Sequence, residues 1–121
     1  MFLNCSSHPS EKWSMEQRLA AETLGGEIID YKFPIINAET SEDEIAKMAD
    51  VIVARINEMH PDVVMCQGEF TLTYAVVNEL KRQGIKVVAA CSERLTTESQ
   101  FEDGSTRKKT IFRFVRFREY K

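Results

Sequence analysis

The chain switches between two hydrophobic spacings. Residues 1–5, MFLNC, form a short apolar run that reads as a strand. A polar loop, SSHPSEKW, follows. Ser14 and Gln17 then form a capping box, and Met15, Leu19, Ala20 and Leu24 recur at helical spacing until Gly25-Gly26 stops them. Residues 27–34, EIIDYKFP, read as a second strand ended by Pro34. Ser41 and Glu44 open the clearest helix, with Ile45, Met48, Ala49, Ile52, Ile56 and Met59 at three- and four-residue steps and Pro61 as its stop. VVMC, residues 63–66, is a continuous apolar strand of the kind covered on both faces. A third helix is predicted from Thr71 to Gln83, and residues 85–91, IKVVAAC, give a fourth strand.

This order is β-α-β-α-β-α-β over residues 1–92. It predicts a small Rossmann-like α/β domain, a parallel sheet with helices on both faces. Residues 93–121 read differently, as a C-terminal β-hairpin turning at Asp103-Gly104. One domain is expected from 121 residues. No apolar run reaches the ~18 residues of a membrane span, and MFLNCSSHPS lacks the basic and apolar regions of a signal peptide. These features lead to the expectation of a soluble, cytoplasmic protein that does not engage a membrane.

Charge is uneven. Residues 1–106 carry 9 Lys+Arg and 18 Asp+Glu, net −9, whereas residues 107–121 carry 7 Lys+Arg and 1 Glu, net +6. Net acidity argues against duplex DNA as a partner, because phosphate neutralisation dominates that affinity. The basic tail suits either a compact polyanion or a solvated edge strand guarded by charge. Cys5, Cys66 and Cys91 each end an apolar run without CxxC spacing and read as buried small hydrophobes. GxGxxG, GxxxxGK[ST] and GxSxG are absent, which disfavours dinucleotide enzymes, P-loop NTPases and α/β-hydrolases. With only His8 and His60, no metal cluster and no cofactor are expected, and His60 reads as a helix-end residue.

Open α/β sheets bind ligands beyond the carboxyl ends of their strands, at the switch in strand order. For the order 2-1-3-4 that point lies between the first and third strands. Polar residues concentrate there. The first strand exits into Asn4, Ser6, Ser7, His8 and Ser10, the third into Gln67, Gly68, Glu69 and Thr71, and the fourth into Ser92, Glu93 and Arg94. Loops of this composition can hold phosphates through hydroxyls and backbone N–H groups, or can simply cap helices. His8 reads as a phosphate donor, an acid/base or a plain loop histidine. Glu69 is either a proton donor or a helix N-terminal carboxylate. Arg94 is either a phosphate partner or a surface charge. Trp13 either staples the first helix or stacks on a base.

MFLNCSSHPSEKW, the segment MCQGEFTLTYAVVNELKRQGIKVVAACSER and the tail IFRFVRFREY together resemble the small accessory proteins of type III CRISPR systems, single-domain relatives of the CARF (CRISPR-associated Rossmann fold) sensors. The resemblance implies a homodimer that binds a cyclic oligoadenylate messenger. In its ring-nuclease form such a protein linearises the messenger without a metal, and in its sensor or sponge form it only binds. By the resemblance Asn4, Ser6, Ser7 and His8 would belong to one ligand loop, Gln67, Gly68, Glu69 and Thr71 to a second, and Ser92, Glu93 and Arg94 to a third. The resemblance transfers no catalytic residue. The residues themselves give His8, Glu69 and Arg94 as candidate catalytic groups and Ser10 as a further binding residue.

Overall fold

The computed structural model describes residues 1–121. Its elements are β1 (Phe2–Ser6), α1 (Met15–Gly25), β2 (Ile28–Lys32), α2 (Glu42–Met59), β3 (Val63–Cys66), α3 (Phe70–Arg82), β4 (Lys86–Gln100) and β5 (Thr106–Glu119), with one 3-10 turn at Ser10–Lys12. The sheet order is β2-β1-β3-β4-β5. The first three neighbour pairs are parallel, and β5 returns antiparallel to β4. The protein is thus a small Rossmann-like α/β fold, with the strand order switching between β1 and β3 as expected.

The two sheet faces are covered unequally. Leu3, Cys5, Val64, Cys66 and Val87 face α2 and α3, whose Ile52, Ile56, Leu72, Val76 and Leu80 complete the larger core. Each such side chain contributes roughly 1.5–3 kcal/mol through removal from water. On the other face Phe2, Val63, Met65, Val88, Phe114 and Phe117 pack with Ala21 of α1. A single 11-residue helix cannot cover five strands, so the carboxyl-end half of this face stays open.

Local chemistry explains the helix ends. Ser14 Oγ accepts from Gln17 N at 3.2 Å and Ser41 Oγ from Glu44 N at 3.2 Å, the caps read from the sequence. Gly26, at φ 81°, ends α1 in a conformation that side chains resist. α3 begins differently from the expected Thr71: Glu69 is its N-cap, accepting from Thr71 N and Leu72 N.

One expectation needs correction. The fourth strand does not end at Cys91, because β4 continues through Ser92, Glu93 and Arg94 into the hairpin, with a register shift between Cys91 and Ser92. Those polar residues resembled a loop because the strand there has passed beyond the helical layers, where both faces meet water. The hairpin packs into the domain. Phe114 and Phe117 of β5 are core residues, and Tyr120 Oη donates to the Cys66 carbonyl at 2.9 Å, tying the chain end to β3. The predicted turn at Asp103-Gly104 is present, with Gly104 at φ 85° and Asp103 Oδ1 accepting from Ser105 N at 2.9 Å.

Candidate functional site

The uncovered half-face forms a cavity of about 820 Å³, within the range typical of small-ligand sites. Met65 and Gln67 of β3, Ala90 and Ser92 of β4, and Phe112 and Phe114 of β5 contribute to its lining. Ser6 and His8 come from the exit of β1. Lys12, Trp13, Ser14, Glu16 and Gln17 come from the 3-10 turn and first turn of α1, so one carboxylate stands among the donors. The positive end of the α1 dipole, with acceptor-seeking N–H groups, therefore lies beside the cavity.

The loop after β1 is held from beneath. Buried Asn4 donates through Nδ2 to the His8 carbonyl at 2.9 Å and to Asp30 Oδ1 at 3.0 Å. Ser6 Oγ donates to Asn4 Oδ1 at 2.7 Å and accepts from His8 N at 3.2 Å. Ser10 N donates to Asp30 Oδ2 at 3.1 Å. Asn4, Ser6 and Ser10 thus shape the loop, and its backbone can stay fixed while the His8 imidazole, which makes no hydrogen bond of its own, faces the cavity. Ser7 is exposed and outside the lining.

Gln67 is oriented by chemistry alone. Its Oε1 accepts from Ala90 N at 2.6 Å, which an amide nitrogen could not do. The Nε2 end carries two donors with no protein partner, available to an acceptor in the cavity. Trp13 packs edge-on to Phe2 at 6.2 Å between ring centroids and against Phe117 at 6.3 Å, while still lining the cavity. It is both staple and wall. Lys12 is exposed and forms no ion pair, making it the free cation of the site. Arg113 also borders the cavity but pairs with Glu93.

Several expected members lie elsewhere. Glu69 and Thr71 start α3 on the opposite sheet face. Thr71 Oγ1 donates to Glu69 Oε2 at 2.7 Å, and the Leu72 and Thr71 N–H groups hold the Glu69 carboxyl below its ordinary range. A carboxylate so occupied is a cap and a poor proton donor, which corrects its candidacy as the general acid. Gly68 does not line this cavity. It is required for packing, since a Cβ there would sit 2.4 Å from the buried Phe33 ring. Arg94 stands opposite Phe112 in the ladder, beside the cavity rim, but does not line the cavity. Of the expected residues, the cavity brings together Ser6, His8, Gln67 and Ser92.

Glu69 offers a test of this division. Glu69→Ala is expected to lower the melting temperature at pH 7 without changing anything that binds in the cavity. The lowered carboxyl fixes the sign. The capping contribution is complete above the ordinary glutamate range and disappears as pH falls through the lowered value. Melting curves of wild type and variant should therefore converge in acid.

Lys12, Ser14 and Gln17 were not anticipated as site residues. A signal existed for Lys12: it is the first basic residue of the chain, and it sits next to Trp13 in the loop leaving β1. A second, smaller cavity of about 410 Å³ lies between β2 and α2, bordered by Tyr31, Lys32, Lys47 and Arg55. It has no polar loop from the switch point, so the larger cavity is the stronger candidate. No group of three or more His, Cys, Asp or Glu comes together in the arrangement of a metal site, and no helix is long and apolar enough to cross a membrane. No curated protein matches the chain. The model of the uncharacterized protein MJ1673 family matches residues 1–118, and the protein belongs to that family.

Proposed function

We propose that this protein binds a cyclic oligoadenylate messenger of type III CRISPR signalling in the cytoplasm and linearises it by in-line attack of a ribose 2′-OH. The observation that carries this reading is the cavity at the strand-order switch, where a free lysine, the N-terminus of α1, an unoccupied imidazole and an amide with spare donors converge. This donor-rich set suits a phosphodiester flanked by bases, with Glu16 the one carboxylate that borders it.

The chemistry follows from the substrate. RNA carries its own nucleophile beside each phosphate. The 2′-oxygen forms a bond to phosphorus, the bond from phosphorus to the 5′-oxygen breaks, and the 2′-hydroxyl proton leaves to solvent. His8 gives a proton to the departing 5′-oxygen. Lys12 and the α1 N–H groups stabilise the charge that gathers on the phosphoryl oxygens. Holding the 2′-oxygen in line supplies most of the remaining acceleration. The products are linear, with a 5′-hydroxyl and a 2′,3′-cyclic phosphate. No step requires a metal or cofactor.

A ring with rotational symmetry is enclosed economically by a two-fold pair of cavities, so a homodimer is part of the proposal. The unpaired outer edge of β5, with Ile111 and Val115 exposed, offers surface for it. One observation favours a second reading, a sensor or sponge that binds without cutting: two of the three candidate catalytic groups, Glu69 and Arg94, lie outside the cavity. Incubating the protein with radiolabelled cyclic tetra-adenylate and excess chelator separates the readings. Linear product supports the nuclease, bound but intact ring supports the sponge, and no binding at any ring size removes both.

A further inference from the structure

Phe112 is 74% exposed, yet it borders the cavity. It lies two residues from Phe114 and so shares its sheet face. Unlike Phe2, Trp13, Phe114 and Phe117, it has no aromatic neighbour. An exposed phenyl ring in that position adds little to folding and leaves apolar surface in water. Trp13 is the other aromatic group open to the cavity, and its packing on Phe2 and Phe117 fixes its ring. Gln67 lies in the floor of the same cavity, with its carbonyl end anchored and its two amide hydrogens unused.

We propose that Trp13 and Phe112 are a base-stacking pair, and that Gln67 Nε2 donates to a ring nitrogen of the base held there. This inference rests on the cyclic oligoadenylate reading and assigns its specificity. The phosphate lies toward Lys12 and the α1 N-terminus, and a purine base lies over the β3–β5 floor. Adenine suits this pattern because its ring nitrogens accept hydrogen bonds and its large face gains most from stacking on aromatic rings.

Trp13 is the single tryptophan of the chain, so its emission reports on the cavity directly. Cyclic tetra-adenylate with 2′-fluoro riboses is titrated into the full-length protein. Emission is followed in one arm, and equilibrium dialysis of labelled ring measures binding in the other. Ring binding should quench or shift Trp13 emission. Phe112→Ala should weaken binding roughly 5- to 150-fold, the range for losing one base–aromatic stack, with an unchanged melting temperature, and Phe112→Tyr should restore it. Dialysis showing tight binding, with silent emission and a wild-type Phe112→Ala affinity, overturns the stacking pair and leaves the ring reading intact. Quenching by linear oligoadenylate without binding of any ring supports the stacking pair and overturns the ring reading. No binding of any adenylate overturns both. A Phe112→Ala variant that changes sedimentation but not affinity assigns Phe112 to a protein interface and overturns the pair.

Discussion

His8→Ala is expected to cut cyclic oligoadenylate about a hundred- to ten-thousand-fold more slowly than wild type, the range for removing a positioned acid or base. Affinity for the uncut ring should change far less. The reason lies in how the residue is mounted. Its carbonyl and N–H are held by Asn4 and Ser6, so truncating the imidazole leaves the loop in place. With Glu69 engaged as the α3 cap, the imidazole is the cavity group best able to deliver a proton to the 5′-oxygen. Single-turnover cleavage measured beside equilibrium binding checks this. Equal rates in variant and wild type would remove His8 from the chemistry and leave the departing oxygen to take its proton from water.

Gly68→Ala should be strongly destabilising although residue 68 touches no ligand. A Cβ built there meets three atoms of the Phe33 ring, the nearest at 2.4 Å. Phe33 is only 3% exposed within the larger core, so its ring cannot swing into solvent. Overpacking of this kind costs roughly 1–3 kcal/mol. Phe33→Leu in the same chain should recover part of the loss, so the double variant should unfold at a higher denaturant concentration than the sum of the single effects implies. Strictly additive effects would show that the ring and the glycine are not in conflict.

Those two residues also mark what could be read from the sequence. The parallel core was legible because each buried strand is a short apolar run and each helix keeps its period up to a Gly or Pro stop, with a Ser cap opening the first two. The 2-1-3-4 order rests on the common doubly wound arrangement, and the structure has it. The exits of β1 and β3 pointed to the end of the sheet where the larger cavity lies. The side of the sheet was not legible. Gln67 and Glu69 are two residues apart, yet one faces the cavity and the other starts a helix on the opposite face. Composition did not distinguish them. Ser92-Glu93-Arg94 misled for a different reason. Strand polarity reports which layers cover a strand, and a strand that outruns its helices looks like a loop. Phe112 became visible as a site residue only once the hairpin had brought β5 to the cavity lined by β3 and the first turn of α1.

The central claim is that the substrate's own 2′-hydroxyl breaks the ring. Cyclic tetra-adenylate and its 2′-fluoro counterpart, each incubated with the protein and excess EDTA, test this most directly when the products are resolved by mass. In-line attack predicts linear adenylate ending in a 2′,3′-cyclic phosphate from the natural ring, undiminished by chelator, and a 2′-fluoro ring that binds but stays closed. Cleavage of the 2′-fluoro ring at the natural rate, or loss of activity on adding EDTA, would contradict it.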